Sequence, residues 1–157
     1  MSAASVPAEP FAWPLRLGSA RLFWLALGLT LLLNAGYTAL VPVQPTIPLI
    51  KSALQSAPFT TVLAVAVVGP IAEEILFRGL LFGALQRRLP TSAVIIVAAF
   101  LFACGHLQWT YIPPLFLMGI VAGGLRWKSG SLGPSIFLHC LNNGLSLLFL
   151  ALAKHSS

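Results

Sequence analysis

Apolar residues in this chain fall in long continuous runs, separated by short clusters rich in proline, glycine and basic residues. About 20 apolar residues cross the hydrocarbon of a bilayer as a helix. A transmembrane barrel would instead alternate apolar and polar positions. The first run predicts a helix over residues 22–41, stopped by Pro42, Pro45 and Pro48, since proline breaks a helical ladder. Residues 44–56 read as a loop with a short interfacial turn near 49–55. A second helix starts at Phe59 and persists to Arg87 and Arg88, with Pro70 expected to kink it one turn before Glu73. Leu89, Pro90 and Thr91 form a turn. A third helix covers 92–107, a fourth covers 115–127 after Pro113-Pro114, and a fifth covers 135–153 after Gly133-Pro134. Trp109 and Tyr111 read as interface aromatics. The predicted fold is all-α: a polytopic membrane helical bundle of about five transmembrane helices.

Composition supports the membrane assignment. The chain is 58% hydrophobic and 8% charged, with a mean hydropathy of +0.93, whereas a soluble domain is about 25% charged. Its length suits a flexible tail over residues 1–20, with Trp13 at the interface, and a single transmembrane domain over 21–157. The run after Arg16 and Arg21 is long for a cleavable signal, so it is read as a retained first helix. The net charge of +6 comes from basic residues that flank apolar segments instead of forming a dense run. They read as topology signals, and no nucleic acid is expected as a partner. With the N-terminus inside, Arg16, Arg21, Arg87, Arg88, Arg126 and Lys128 are cytoplasmic, and Lys51 and Lys154 are outside. The predicted topology is N-in/C-out, in lipid bilayer and most simply the bacterial cytoplasmic membrane. Cys104 and Cys140 lie in apolar segments and read as small buried thiols. Gly119 with Gly123, and Gly79 with Gly83, predict close helix contacts.

Candidate chemistry begins with the acidic residues. The chain has three, and two of them, Glu73 and Glu74, are adjacent inside an apolar run. Intramembrane carboxylates are costly and mark functional sites by default. Arg78, one turn beyond Glu74, can pair with it. Two imidazoles also fall in apolar context: His106, four residues after Phe102, and His139, four residues before Asn143. In an antiparallel hairpin Glu73 and His106 come level. His139 joins them only if the hairpin tip reaches past the hydrocarbon or lies along its surface. A carboxylate and an imidazole sharing a water supply a general base. A second imidazole and an amide can donate to an oxyanion. The same groups also suit zinc, with Glu73, His106 and His139 as ligands and Glu74 as base.

These motifs, in order Glu73-Glu74-x-x-x-Arg78, Phe102-x-x-x-His106 and His139-x-x-x-Asn143, resemble the CAAX-processing and bacteriocin-processing family of intramembrane endopeptidases. That family includes the type II CAAX prenyl endopeptidase. The stretches 70–79 and 130–135 resemble it too, and the resemblance spans about residues 59–150, the expected catalytic core. It implies peptide-bond hydrolysis, in some members after a prenylated cysteine, on a peptide or lipidated protein substrate. It implies Glu73 as the water-activating carboxylate, His106 as its partner, and His139 with Asn143 as the oxyanion site. Glu74 and Arg78 become supporting groups. The family has been described both as metal-dependent and as glutamate-based, so the expected cofactor is none or zinc.

Other classes stay open on the residues alone. Buried Glu and His also suit a small proton-coupled carrier, although no inverted repeat is evident. A catalytically silent membrane adaptor or bacteriocin-immunity protein is the other alternative. Family members usually carry more hydrophobic segments before the first motif. With one clear helix there, the chain is expected to be a minimal core or to need a homodimer or a membrane partner.

Overall fold

The computed structural model describes residues 20–41 and 46–152. The expected tail with Trp13 and Arg16, the prolines at 42 and 45, and Lys154 and His155 lie outside the described residues. Those described are helical throughout, without a strand: α1 (Ala20–Leu40), α2 (Thr46–Ser56), α3 (Pro58–Gln86), α4 (Thr91–Gly105), α5 (Ile112–Ser129) and α6 (Gly133–Leu152), with a 3-10 turn at Trp109–Tyr111. The fold is all-α. The helices α1, α3 and α6 are long and apolar enough to cross a membrane, and α4 is a shorter apolar helix.

Where the helices depart from the predicted limits, proline is the common reason. The first turn of a helix has N–H groups without intrahelical partners, so proline is tolerated there. Pro48 sits in the first turn of α2, which replaces the predicted loop. Pro113 and Pro114 lie at the start of α5, and Pro134 at the start of α6. Both helices therefore begin earlier than predicted. At the far end of α5, Gly130 takes a left-handed φ of 67° that glycine adopts without steric cost, and its N–H reaches Arg126 O at 3.1 Å. The Gly133 N–H then donates to Ser131 Oγ at 3.2 Å, capping α6.

Inside α3 the proline acts differently. The rod contains two π segments, Ala64–Val68 and Ile75–Leu81. The first closes with the Gly69 N–H donating to Ala64 O, five residues back. Pro70 follows and has no N–H to continue the ladder. The disturbance expected of Pro70 thus takes the form of a π turn just upstream, which changes the rotational phase of the helix before the glutamates.

Packing brings the helices together in two apolar clusters. Phe23, Ala26 and Leu27 of α1 meet Ala122 and Leu125 of α5 and Leu138 of α6. Phe82 of α3 meets Val94 and Ala98 of α4. Gly119 explains how close α5 comes to α4: a Cβ there would lie 2.8 Å from Ala99 Cβ. One at Gly123 would lie 3.2 Å from Ile95 Cγ2. That pair is a close contact, as predicted. The other pair is not a close helix contact, because a Cβ at Gly79 makes ordinary contacts, Leu132 Cδ1 at 3.6 Å and Glu74 O at 4.0 Å, and one at Gly83 meets nothing within 4 Å. Asn142 Oδ1 accepts from Asn34 Nδ2 at 2.9 Å and ties α6 to α1. Tyr37 donates to Thr110 O, joining the end of α1 to the 3-10 turn.

Candidate active site

The polar groups converge where α3, α4 and α6 meet. Adjacent on α3, Glu73 and Glu74 are about 100° apart around the axis, so they face different surroundings. Glu74 is fully buried and Glu73 is 36% exposed. Glu74 Oε1 lies 3.0 Å from Arg78 Nη1 and 3.1 Å from His139 Nδ1. Glu73 turns to the imidazoles instead. Its Oε2 lies 3.6 Å from His139 Nε2 and 3.9 Å from His106 Nε2. All three helices thus bring their groups level, including His139, whose depth the sequence made conditional on the hairpin tip.

Each histidine is held by its other ring nitrogen. His106 Nδ1 is 2.9 Å from Phe102 O. A carbonyl can only accept, so Nδ1 carries the proton and Nε2 offers a lone pair toward Glu73. His106 is the C-cap of α4, and Leu107 after it takes a left-handed φ of 54° that ends the helix there. His139 Nδ1 donates to Glu74 Oε1, which leaves Nε2 facing Glu73. The carboxylate that pairs with Arg78 therefore also orients an imidazole.

Phe102 is the apolar centre of the cluster, with no exposed surface. Its ring lies 4.4 Å from the Arg78 guanidinium carbon, 4.8 Å from the His106 ring and 5.7 Å edge-on from the His139 ring. A cation over an aromatic face in a dry setting is well placed. Arg78 Nη2 donates to Gly119 O at 3.3 Å, the approach that the missing Cβ of Gly119 allows.

Two side chains make contacts that the sequence did not suggest. Asn143 Nδ2 donates to Val65 O on α3 at 3.0 Å, so that N–H does not point into the carboxylate–imidazole cluster. Arg126, counted in the sequence as a topology charge, is buried, and its Nε donates to Arg78 O at 3.3 Å. Neither contact has a local sequence signal, since each joins residues far apart in the chain. Phe102 was visible only as a spacing to His106, which says nothing of the carbonyl or the ring.

Zinc bonds of about 2.0–2.1 Å would put two tetrahedral donors roughly 3.4 Å apart. The separations from Glu73 to the two histidines exceed that. Among the described residues no group of three His, Cys, Asp or Glu is placed to hold a metal ion. As placed, these groups stand wider apart than the donors of a zinc centre, and no step below passes through one.

A polytopic helical membrane protein with a carboxylate–imidazole cluster among its helices is the class that fold and site define. The chain belongs to the type II CAAX prenyl endopeptidase Rce1-like family, whose model matches residues 55–145. It is 29% identical over 91 residues to the membrane-embedded CAAX protease MroQ of Staphylococcus aureus (strain USA300), covering 54% of this chain and 37% of that protein. It is 30% identical over 94 residues to an uncharacterized 24.3 kDa protein of Escherichia coli, covering 57% of this chain and 43% of the other. The match thus spans about two fifths of the length of these curated relatives. No solved structure matches the chain significantly. Family and apolar helices together make it an integral membrane protein.

Proposed function

We propose that the chain is an intramembrane endopeptidase that hydrolyses a peptide bond with a water activated by Glu73 and His106. The observation that carries this reading is Glu73 Oε2, half-exposed and facing both His106 Nε2 and His139 Nε2 at 3.9 and 3.6 Å. Those gaps are long for direct hydrogen bonds and suit a bridging water. The water attacks the scissile carbonyl carbon and gives its proton to Glu73, while the His106 Nε2 lone pair accepts its second hydrogen bond. For the oxyanion role His139 must carry both ring protons, Nδ1–H on Glu74 Oε1 and Nε2–H on the developing oxyanion. Collapse of the tetrahedral intermediate breaks the C–N bond, and Glu73 returns the proton to the leaving amine. Arg78 balances Glu74 and takes no part in proton transfer.

The substrate proposed is a membrane peptide or a lipidated protein, met within the bilayer because the site opens among apolar helices. The similarity to the Staphylococcus aureus CAAX protease supports that class. The proposed setting is the bacterial cytoplasmic membrane with N-in/C-out topology, and a homodimer or membrane partner completes the list of proposed contacts.

Purified protein in detergent, given a fluorescent lipid-tailed peptide library, tests the reading. Glu73→Gln keeps the shape and removes the base, so hydrolysis is expected to fall by about 10²–10⁴-fold with the melting temperature unchanged. His106→Ala is expected to do likewise, and His139→Ala to lose activity together with some stability, since it empties a buried position and removes a donor to Glu74. Exhaustive chelation is expected to leave wild-type activity intact. Loss on chelation, restored by zinc, would replace the glutamate base with a metal site. Equal turnover by wild type and Glu73→Gln would sink the enzyme reading and favour a silent adaptor.

A further inference from the structure

A π turn leaves a backbone carbonyl without its helical partner, and α3 has two such turns flanking its glutamates. In the first, the Gly69 N–H pairs with Ala64 O. The next bond in that register would run from residue 70 to Val65 O, but residue 70 is proline and has no N–H. A buried carbonyl without a donor is costly. Asn143 Nδ2, from α6, occupies that place at 3.0 Å. In the second turn the Phe82 N–H is shared between Gly79 O and Phe77 O, the latter five residues back. The Arg78 carbonyl that follows receives Arg126 Nε, from α5, at 3.3 Å. A side chain from another helix thus reaches a carbonyl in each of the two π segments.

We infer that Asn143 is a positioning residue: it latches the π turn at Ala64–Val68 by standing in for the N–H that Pro70 lacks. The latch sets the rotational phase of the catalytic helix. A π turn holds one extra residue, so annealing it would turn everything downstream by about 100°. That is also the angle between Glu73 and Glu74. Phase therefore decides which glutamate faces the two imidazoles and which is buried against Arg78 and His139. Arg126 supports the same phase from the other side of the pair. The contact of Asn143 is thus with backbone, about two turns upstream of the site it serves.

This inference rests on the proposed peptidase only for its activity readout, and the experiment separates the two. Four proteins are compared: wild type, Asn143→Ala, Pro70→Ala and the double variant. Restoring an N–H at position 70 supplies Val65 O from the backbone and makes the Asn143 amide dispensable. Asn143→Ala is expected to lower kcat by about 100-fold through misplacement of the glutamates, with a smaller change in KM. Pro70→Ala in the same chain is expected to recover most of that loss, and the melting temperatures are expected to be non-additive in the same direction. An activity loss of the same factor in both backgrounds, with additive melting temperatures, would overturn the latch and return Asn143 to an oxyanion role. If wild type hydrolyses nothing, the enzyme reading fails, and the melting-temperature cycle alone still decides the latch.

Discussion

Glu74 and Arg78 sit in the dry interior, and each is the other's principal counter-charge, 3.0 Å apart and essentially without exposure. Removing one partner of such a pair leaves a buried charge uncompensated, which costs about 3–5 kcal/mol. Arg78→Ala is therefore expected to lower the melting temperature sharply as well as activity. It also removes the cation over Phe102 and the donor to Gly119 O. Glu73→Gln is expected to lose activity and keep its melting temperature, because Glu73 is 36% exposed and its task is chemical. Thermal melts of the two variants in the same detergent check the contrast, and equal stability would mean the Arg78 site is wet. The two adjacent glutamates were legible in the sequence as a pair. Their division of labour was not, since it depends on which side of α3 faces α4 and α6.

At the scale of elements, the small residues of α5 decide how near it comes to α4. Gly119→Val places a side chain where Ala99 Cβ already lies within 2.8 Å of the new Cβ position. Overpacking of this kind costs about 1–3 kcal/mol. It also moves the Gly119 carbonyl away from Arg78, so activity is expected to fall with stability. Gly83→Ala meets open space and sits inside a helix, where alanine is preferred by about 0.5–1 kcal/mol. It is expected to be neutral or stabilising. Expression and melting of both variants check the assignment, and equal tolerance at 119 and 83 would contradict the packing. Both glycine pairs looked alike in sequence because the motif carries a spacing and no neighbour.

Seen as a whole molecule, the charge pattern has to be recounted. Arg126 is buried with its Nε on a backbone carbonyl, so its charge is engaged inside the bundle and is left out of the comparison. Among the cytoplasmic set within the described residues, Arg21, Arg87, Arg88 and Lys128 remain against Lys51 outside. The proposed N-in/C-out orientation therefore keeps its bias. Cysteine accessibility reporters at the 87–88 turn are expected to be protected from an impermeant thiol reagent applied outside, and reporters near Lys51 are expected to react. The reverse pattern would invert the topology. Replacing Arg126 with glutamine is expected to alter stability and leave orientation unchanged.

The sequence by itself determined the class, because long apolar runs demand helices in a bilayer whatever their neighbours. It also determined the candidate set Glu73, Glu74, Arg78, His106, His139 and Asn143, because polar groups in such runs are few and each stands out. It could not determine helix starts, since a proline that ends one helix is equally at home in the first turn of the next. Nor could it determine which nitrogen of each imidazole is held, or that Asn143 and Arg126 bind carbonyls of α3. Those facts depend on the rotational phase of a helix with π turns, and phase is fixed by contacts between residues as far apart as Val65 and Asn143. Only tertiary packing brings such groups within hydrogen-bond range, and only there does a backbone irregularity find the donor that stabilises it.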